Sequence, residues 1–382
     1  MRPEALRNRI QAHAAGRLLL GALALLYGAA VLLRNILYWL RLLPSRKLPV
    51  RTVCVGNLTT GGTGKTSAVL LAAQTLHKKQ VSTAILSRGY GRRRKARDVQ
   101  VLLNTQSARW EETGDEPWMM HRALKGTAIP ILISSDRCRA GDTALTYYKP
   151  QVLLLDDGFQ HRKLRRDLDI VLINAINPFG GGKLLPAGNL REPLRALRRA
   201  GLAVITHADQ VPSRRLAEIR ETINGYNPKL PVLEAIHRAD FLLDLKRDRR
   251  RRLSHIKKKA VACFSGIGDP RPFEEQLRRI GSRLIQTWRY PDHHPYTLDE
   301  LRSIESLRRG LPVLTTFKDF PRLPPGWQEI LRGEVLALGI RMEITKGRPL
   351  WEEALWPPPA SAKRPQDHKP ASEKGREKDK TS

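Results

Sequence analysis

Short apolar runs alternate with stretches of helical character over residues 50–230 of the chain. The predicted strands are Thr52–Val55, Thr83–Leu86, Ile129–Ile133, Val152–Leu155, Ile170–Ile173 and Ala203–Thr206. The intervals between them have room for helices, which predicts an α/β fold with a parallel sheet and helices on both faces. Apolar runs at Ala260–Phe264, Leu284–Thr287 and Val313–Thr316 predict a second, smaller α/β domain.

Residues 1–47 differ from the rest of the chain. Leu18–Leu33 carries no charge and is bounded by Arg17 and Arg34. A helix of that length spans about 24 Å, against a hydrocarbon core of roughly 30 Å, so tilting would be needed to cross a bilayer. A signal peptide and a buried core helix remain alternatives. The flanking arginines and aromatic residues such as Tyr27 and Trp39 favour a membrane-associated helix.

The net charge indicates the class of binding partner, and the cysteine content indicates the cellular compartment. The 382 residues carry a formal net charge of +31, which indicates polyanionic partners such as phosphorylated substrates, an acidic membrane or nucleic acid. Each basic run is equally compatible with a solvated surface. The three cysteines lie far apart without metal-ligand spacing, which suits a reducing compartment.

A glycine-rich loop follows the first predicted strand and precedes the helical run Ser67–Leu76. Glycines let backbone N–H groups turn towards phosphate oxygens, and the helix N-terminus adds its positive end. The strict Walker A form needs glycine at position 59, where this chain has Thr59, but Gly61 and Gly62 match the G-G-x-G-K-T variant. The predicted nucleotide-binding residues are Thr59, Thr60, Gly61, Gly62, Thr63, Gly64, Lys65 and Thr66.

Several other groups of residues suggest chemistry beyond nucleotide binding. The strand Val152–Leu155 ends in two acids, Asp156 and Asp157, and a carboxylate there can support Mg²⁺. The acids Asp115 and Glu116 follow a Thr-Gly turn, where a solvated turn is the alternative. An Asp-His-His segment at 292–294 invites acid–base chemistry. Arg137 and Arg191 can clamp phosphates, although such arginines often pair with surface acids.

Taken in order, these segments resemble the tetraacyldisaccharide 4'-kinases of lipid A biosynthesis, from the N-terminal helix to about residue 345. The matching segments are Val55–Thr66 (VGNLTTGGTGKT), Leu86–Arg92 (LSRGYGR), Gly114–Pro117 (GDEP), Asp156–His161 (DDGFQH), Leu185–Pro193 (LPAGNLREP), Phe264–Pro270 (FSGIGDP), Pro291–His294 (PDHH) and Thr316–Asp319 (TFKD). Ser67, Asn189 and Phe317 depart from the usual pattern, but none of them is assigned to chemistry.

The resemblance implies roles on the nucleotide side of the site. Lys65 and Thr66 would hold ATP and Mg²⁺, the two expected cofactors. Glu116 and Asp156 would support the metal together with Thr66.

On the acceptor side, the resemblance implies that Asp115 is the general base, tuned by a histidine of the second domain. His293 is the assigned partner, and His294 remains an alternative. Asp157 and His161 would line the site. Arg137 and Arg191 would contact phosphates. A sugar hydroxyl has a high pKa, so a carboxylate that accepts its proton fits the chemistry.

The predicted protein is a P-loop kinase that phosphorylates the 4'-hydroxyl of a tetraacyldisaccharide 1-phosphate at the cytoplasmic face of the inner membrane. Its predicted partners are that lipid-sugar and the membrane surface, and no nucleic acid is expected. A P-loop switch or partition ATPase is the alternative. The predicted segments are a membrane-associated helix (1–47), a P-loop kinase core (48–230), a connector (231–252), a smaller α/β domain (253–352) and a disordered basic tail (353–382).

Overall fold

The computed structural model describes residues 7, 9–89, 98–103 and 110–357. Part of the 86–92 motif and nearly all of the predicted basic tail therefore lie outside the described residues. Within them, the first long element is helix α1, Ala14–Trp39, which contains the predicted apolar run. Among the described helices, it is the one long and apolar enough to cross a membrane, by length and composition.

One mixed sheet of thirteen strands runs through the described part of the chain. The strands are β1 (Arg51–Asn57), β2 (Thr83–Ser87), β3 (Gln100–Leu102), β4 (Ile131–Ile133), β5 (Val152–Asp156), β6 (Leu168–Asn174), β7 (Leu202–Thr206), β8 (Val232–Asp244), β9 (Arg249–Arg251), β10 (Ala260–Ser265), β11 (Arg283–Arg289), β12 (Val313–Thr316) and β13 (Val335–Lys346). Their order is β11-β10-β12-β13-β8-β7-β6-β1-β5-β2-β4-β3, and β9 pairs with β8.

Helices cover the sheet and connect its parallel strands. The remaining α-helices are α2 (Lys65–Lys78), α3 (Trp110–Thr113), α4 (Asp115–Ala123), α5 (Arg137–Tyr147), α6 (Ser213–Tyr226), α7 (Arg271–Ile280), α8 (Leu298–Leu307), α9 (Trp327–Ile330) and α10 (Arg348–Leu355). Short 3₁₀ turns occur at Gly180–Gly182, Leu194–Arg199, Ala208–Gln210, Leu253–Ile256 and Phe320–Arg322.

The first half of the sheet is the predicted parallel unit. Strand β1 lies between β5 and β6, parallel to both. Every residue of β5 is buried, because helices pack against both faces and leave no strand surface for water. Separate hydrophobic clusters fill the two faces. The predicted strands and the P-loop-like α/β fold are confirmed.

The two halves meet within the sheet. Residues 231–252, predicted to be a connector, contain β8, which pairs in parallel with β7 and antiparallel with β13. The sheet therefore continues from one half into the other. Charged residues such as Arg238 and Asp240 interrupt the apolar pattern of β8, which is why its sequence does not read as a strand.

The last helix also differs from the predicted boundaries. Helix α10, whose first residues fall in the segment assigned to the smaller domain, packs on α2 of the first half. Trp351 is buried there, and its indole Nε1 donates a 3.3 Å hydrogen bond to Thr75 Oγ1. The chain thus returns to the first half after β13. Burial of the large Trp351 side chain stabilises the packing of α10 on α2.

Candidate active site

The glycine-rich loop connects β1 directly to the N-terminus of α2. Gly64 caps the helix with φ of +82°, and Gly61 has φ of +106°. A Cβ atom on Gly64 would lie 2.6 Å from Nε2 of the buried His237. Glycine is therefore required at position 64 both for the left-handed backbone and for the close approach of the imidazole.

Hydrogen bonds from neighbouring segments hold the loop in place. The amide of Asn57 donates to Thr63 Oγ1 at 3.0 Å, and Thr206 Oγ1 donates to the Thr63 carbonyl at 3.2 Å. The Thr60 N–H donates to the carbonyl of Asn189 at 2.8 Å, and Thr59 forms a β-bridge beside it. The loop is thus fixed by contacts with β7 and with the 180–190 segment, which favours a preorganised phosphate site.

Lys65 and Thr66 begin α2 beside a carboxylate that contacts two cations. The Nζ atom of Lys65 lies 3.9 Å from Asp157 Oδ2. Arg191 Nη1 donates to both oxygens of the same carboxylate, at 3.0 and 2.9 Å. Asp157 has a left-handed φ of +48°, which turns the chain directly after β5. Asp157 therefore links the loop lysine to Arg191.

Asp156 and Glu116 form an acidic pair next to these cations, in which Asp156 is buried and Glu116 is half-buried. The Oδ2 atom of Asp156 accepts a 3.0 Å hydrogen bond from Ser87 Oγ, whereas its Oδ1 has no hydrogen-bond partner among the described residues. Burial, together with the charges of Glu116 and Asp157, raises the pKa of Asp156. Burial also raises the pKa of Glu116, although the nearby charge of Lys65 lowers it. Such a pair is poised to accept a cation.

Arg137 and His161 lie further along the same edge, where Arg137 is buried and His161 is half-buried. The Arg137 guanidinium donates to the carbonyl of Ser135 at 3.2 Å, and burial lowers its pKa. Burial and the charges of Arg137 and Arg166 lower the pKa of His161 to about 4. His161 is therefore neutral at physiological pH. Its buried Nε2 has no hydrogen-bond partner among the described residues, so it can serve a bound ligand.

Asp115 begins α4, directly after Gly114, and faces the second half of the protein. Its Oδ2 accepts hydrogen bonds from Arg322 Nε at 3.1 Å and Nη2 at 2.5 Å. His293 Nδ1 lies 3.7 Å from the same oxygen. Burial raises the pKa of Asp115, but His293 and the Arg322 guanidinium outweigh it and leave that pKa below its ordinary value.

The two neighbouring histidines have different surroundings. His293 has a left-handed φ of +60°, and its backbone N–H donates to the Gly266 carbonyl at 3.0 Å. His294 instead contacts Glu300 through Nε2 at 2.9 Å and stacks on Tyr290. His293 is therefore the histidine of this pair that faces Asp115.

A family model and known relatives match the part of the chain that carries these residues. The family model described as "Tetraacyldisaccharide-1-P 4'-kinase" matches residues 16–356. A tetraacyldisaccharide 4'-kinase of Elusimicrobium minutum is 43% identical over 358 residues, 93% of this chain and 95% of that protein. The Aquifex aeolicus enzyme of that name is 36% identical over 322 residues, 84% of this chain and 92% of that protein. The chain belongs to the tetraacyldisaccharide 4'-kinase family.

A solved structure of this kinase family has the same fold. The "apo" form of LpxK from Aquifex aeolicus in complex with ATP matches with a TM-score of 0.70 and 32% sequence identity. The match covers 89% of this chain and 98% of that chain. The prediction of a kinase of this family is confirmed.

Within this member of the kinase family, the predicted residues fall into two groups. Lys65, Glu116, Asp156 and Asp157 lie together where β1 and β5 end, with Arg191 bound to Asp157. Asp115 and His293 meet at the junction of the halves. Their assigned roles stay predictions.

Sequence reasoning missed Arg322, which contacts both Asp115 and His293. Arg322 follows the 316–319 motif by only three residues, but no local pattern marks it as part of a site. Its place in the site depends on a long-range contact, because 207 positions separate it from Asp115.

Proposed function

We propose that this protein transfers the γ-phosphate of ATP to the 4'-hydroxyl of a tetraacyldisaccharide 1-phosphate. The observation that carries the proposal is the meeting of the loop lysine with a carboxylate that an arginine also contacts: Lys65 Nζ lies 3.9 Å from Asp157 Oδ2, and Arg191 Nη1 lies 2.9 Å from the same oxygen. Family membership over residues 16–356 supports the same substrate class. The acceptor oxygen bonds to the γ-phosphorus, the bond from phosphorus to the β-phosphate oxygen breaks, and ADP leaves with the electron pair.

Lys65 and Thr66 are proposed to hold the phosphates of ATP at the start of α2. The lysine ammonium would neutralise charge on the β- and γ-phosphates, and the backbone N–H groups of the loop would align them. Arg191 already contacts Asp157, and replacement of that contact by a phosphate oxygen would keep the guanidinium paired.

Magnesium is proposed to bind with the nucleotide, and the residues fit such a site. The unpartnered Asp156 Oδ1 is a buried acceptor that a cation would satisfy. Among the described residues no cluster of three or more His, Cys, Asp or Glu could hold a metal alone. That agrees with Mg²⁺, which takes one or two carboxylates and completes its shell with phosphates and water. Asp156, Glu116 and Thr66 would hold it, and when bound it would neutralise developing phosphate charge.

Asp115 is proposed to accept the proton of the attacking hydroxyl. Its carboxylate has a lowered pKa and is ionised at neutral pH, as a base must be. Both hydrogen bonds that Arg322 donates to Asp115 go to Oδ2, so Oδ1 would be the oxygen that receives the proton of the acceptor. His161 and Arg137 are proposed to contact phosphate or sugar oxygens.

A location at the cytoplasmic face of the inner membrane is proposed from helix α1. One side of the helix packs on the protein through Leu20, Ala24 and Val31. The opposite side exposes large apolar residues, among them Leu18, Leu25, Leu26, Leu32, Leu33 and Trp39. A helix held flat against a folded domain, with an apolar outer side, can bury that side in a lipid surface. The acylated substrate would be reached from the same surface.

The proposal is tested by incubating the purified protein with radiolabelled ATP, Mg²⁺ and the tetraacyldisaccharide 1-phosphate in mixed micelles. Label should appear in the lipid, and it should require both the lipid acceptor and the 4'-hydroxyl. An acceptor that already carries a 4'-phosphate is the matched control and should stay unlabelled. ATP hydrolysis without labelled lipid would contradict the proposal.

A further inference from the structure

Arg322 lies at the junction of the two halves, at the end of the 3₁₀ turn Phe320–Arg322 that follows β12. Its side chain is 4% exposed. Asp319, three residues earlier, is itself buried and holds the turn: its Oδ2 accepts from Thr316 Oγ1 at 2.7 Å and its Oδ1 from the Gly266 N–H at 3.1 Å. The start of the Arg322 side chain is therefore fixed by a rigid segment of the second half.

The far end of Arg322 joins two residues of the candidate site. Its Nη2 lies 2.5 Å from Asp115 Oδ2 and 2.8 Å from His293 Nδ1. An Nη2 amino group has two hydrogens, so it can donate one to each acceptor. The direct separation of Asp115 Oδ2 from His293 Nδ1 is 3.7 Å, longer than a hydrogen bond. In the structure, the carboxylate and the imidazole are connected through the guanidinium.

Arg322 is the hydrogen-bond donor in this connection. An arginine N–H group can only donate, so Arg322 is the donor in its contacts with both Asp115 and His293. Both hydrogen bonds that Arg322 donates to Asp115 fall on the same oxygen, Oδ2.

We propose that Arg322 is a positioning residue for phosphoryl transfer, which holds the Asp115 carboxylate and the His293 imidazole in one arrangement across the two halves. The inference rests on the proposed function, because it assigns Asp115 the role of base. Alignment of a base with its acceptor is sensitive to small displacements, and a 1 Å error can cost about 100-fold in rate. A side chain that is buried, anchored and in contact with both partners supplies such alignment.

The other charged groups near this contact are accounted for by their own partners. Glu116 lies beside Asp115 and interacts with Lys65 and Asp157, and Lys318 pairs with Asp292 at 3.5 Å. His293 Nε2 lies 3.9 Å from an Asp292 oxygen, which is longer than a hydrogen bond. None of these groups connects Asp115 with His293 as the Arg322 guanidinium does.

The test compares Arg322→Gln and Arg322→Lys with the wild-type protein, using the lipid acceptor and ATP. Arg322→Gln should lower kcat by about 10- to 100-fold, with the KM for ATP within a few-fold, because the loop and Lys65 are untouched. Arg322→Lys keeps the charge but loses the planar fork, so it should recover only part of kcat. In an Asp115→Asn background, either Arg322 substitution should add less than about a twofold loss.

Arg308→Gln is the matched control, because Arg308 is equally buried in the same half and pairs with Glu305 at 2.7 Å, away from the site. It should lower the melting temperature but leave kcat of the folded protein within about twofold of wild type. A purely structural Arg322 would behave in the same way, and that result would overturn the proposal. Equal losses from Arg322→Lys in the wild-type and Asp115→Asn backgrounds would also overturn it, even if Arg322→Gln fails to fold. An inactive wild-type protein would instead remove the proposed function, and this inference with it.

Discussion

Arg34 of helix α1 forms a 2.6 Å ion pair with Glu192, whose side chain is completely buried. The other Glu192 oxygen lies 2.7 Å from Arg199. Tyr27 of the same helix donates a 2.8 Å hydrogen bond to the carbonyl of Arg191, the residue that contacts Asp157. The N-terminal helix is therefore bound to the segment that carries part of the candidate phosphate site.

Replacement of Glu192 should be strongly destabilising. Glu192→Ala leaves Arg34 and Arg199 without their shared partner and should lower the free energy of unfolding by about 3–5 kcal/mol. Glu218→Ala is the control, because Glu218 forms exposed ion pairs with Arg214 and Arg215 and should cost at most about 1 kcal/mol. Denaturant unfolding of both variants checks the expectation. Equal effects would show that the buried contact does not hold the helix.

Lys65→Ala should abolish most phosphoryl transfer in a protein that still folds. Removal of one preorganised charge that acts on the transferred group typically costs 10²–10³-fold or more in kcat. Lys79→Ala, at the other end of the same helix and paired on the surface with Glu352, is the control and should turn over normally. Kinase assays measure the turnover of both variants, and circular dichroism spectra show whether they fold. Near-normal turnover of folded Lys65→Ala would show that the loop lysine has no part in the mechanism.

Asp115 and His293 should act as one unit if Arg322 joins them. Asp115→Ala should lower kcat by about 10²–10⁴-fold, as expected for loss of a general base, while the KM for ATP changes little. His293→Ala should also lower kcat, and the double variant should be hardly worse than the more damaged single variant. Fully multiplicative losses would show that the two residues act independently. A large rise in the Mg²⁺ concentration needed by Asp115→Ala would instead point to a metal ligand.

Membrane binding should depend on the outer side of α1. Leu26 and Leu33 are 68% and 57% exposed, so their joint replacement by lysine should leave the fold intact. Loss of two apolar side chains from the lipid contact should weaken binding to anionic vesicles by more than about tenfold. The double variant Leu307→Lys and Leu350→Lys, at exposed positions outside α1, is the control. Vesicle sedimentation measures both, and equal binding by all proteins would place the lipid contact elsewhere.

Stability should fall in mild acid because of His237 beneath the glycine-rich loop. Burial, aided by the neighbouring His207, lowers the pKa of His237 to about 3 from 6.5. The unfolded chain therefore binds a proton at this residue below pH 6.5 while the folded chain does not, and stability is lost as pH falls from 6.5 towards 3. At pH 5 the loss is about 2 kcal/mol relative to pH 7. His237→Gln should show a smaller drop in Tm between those pH values, and an unchanged drop would assign the effect to other groups.

Elements with strong local patterns could be predicted from the sequence. The strands that carry the loop and the Asp156–Asp157 pair are continuous apolar runs, because both their faces are buried, and such runs stand out from their neighbours. The glycine-rich loop needs special backbone geometry at Gly61 and Gly64, which the residue types themselves reveal. The ordered motifs also indicated the family, since each depends on local residue types and spacing.

Only the tertiary structure decided how distant segments meet. Strand β8 carries charged residues within its apolar pattern, and its pairing with β13 joins residues about a hundred positions apart, so no local pattern shows that the sheet continues through the expected connector. The choice between His293 and His294 depends on which ring the turn directs towards Asp115. Arg322 contacts Asp115 across 207 positions. A hydrogen bond between such residues depends on packing of the whole fold, whereas strands, turns and loops are determined by their neighbours in the chain.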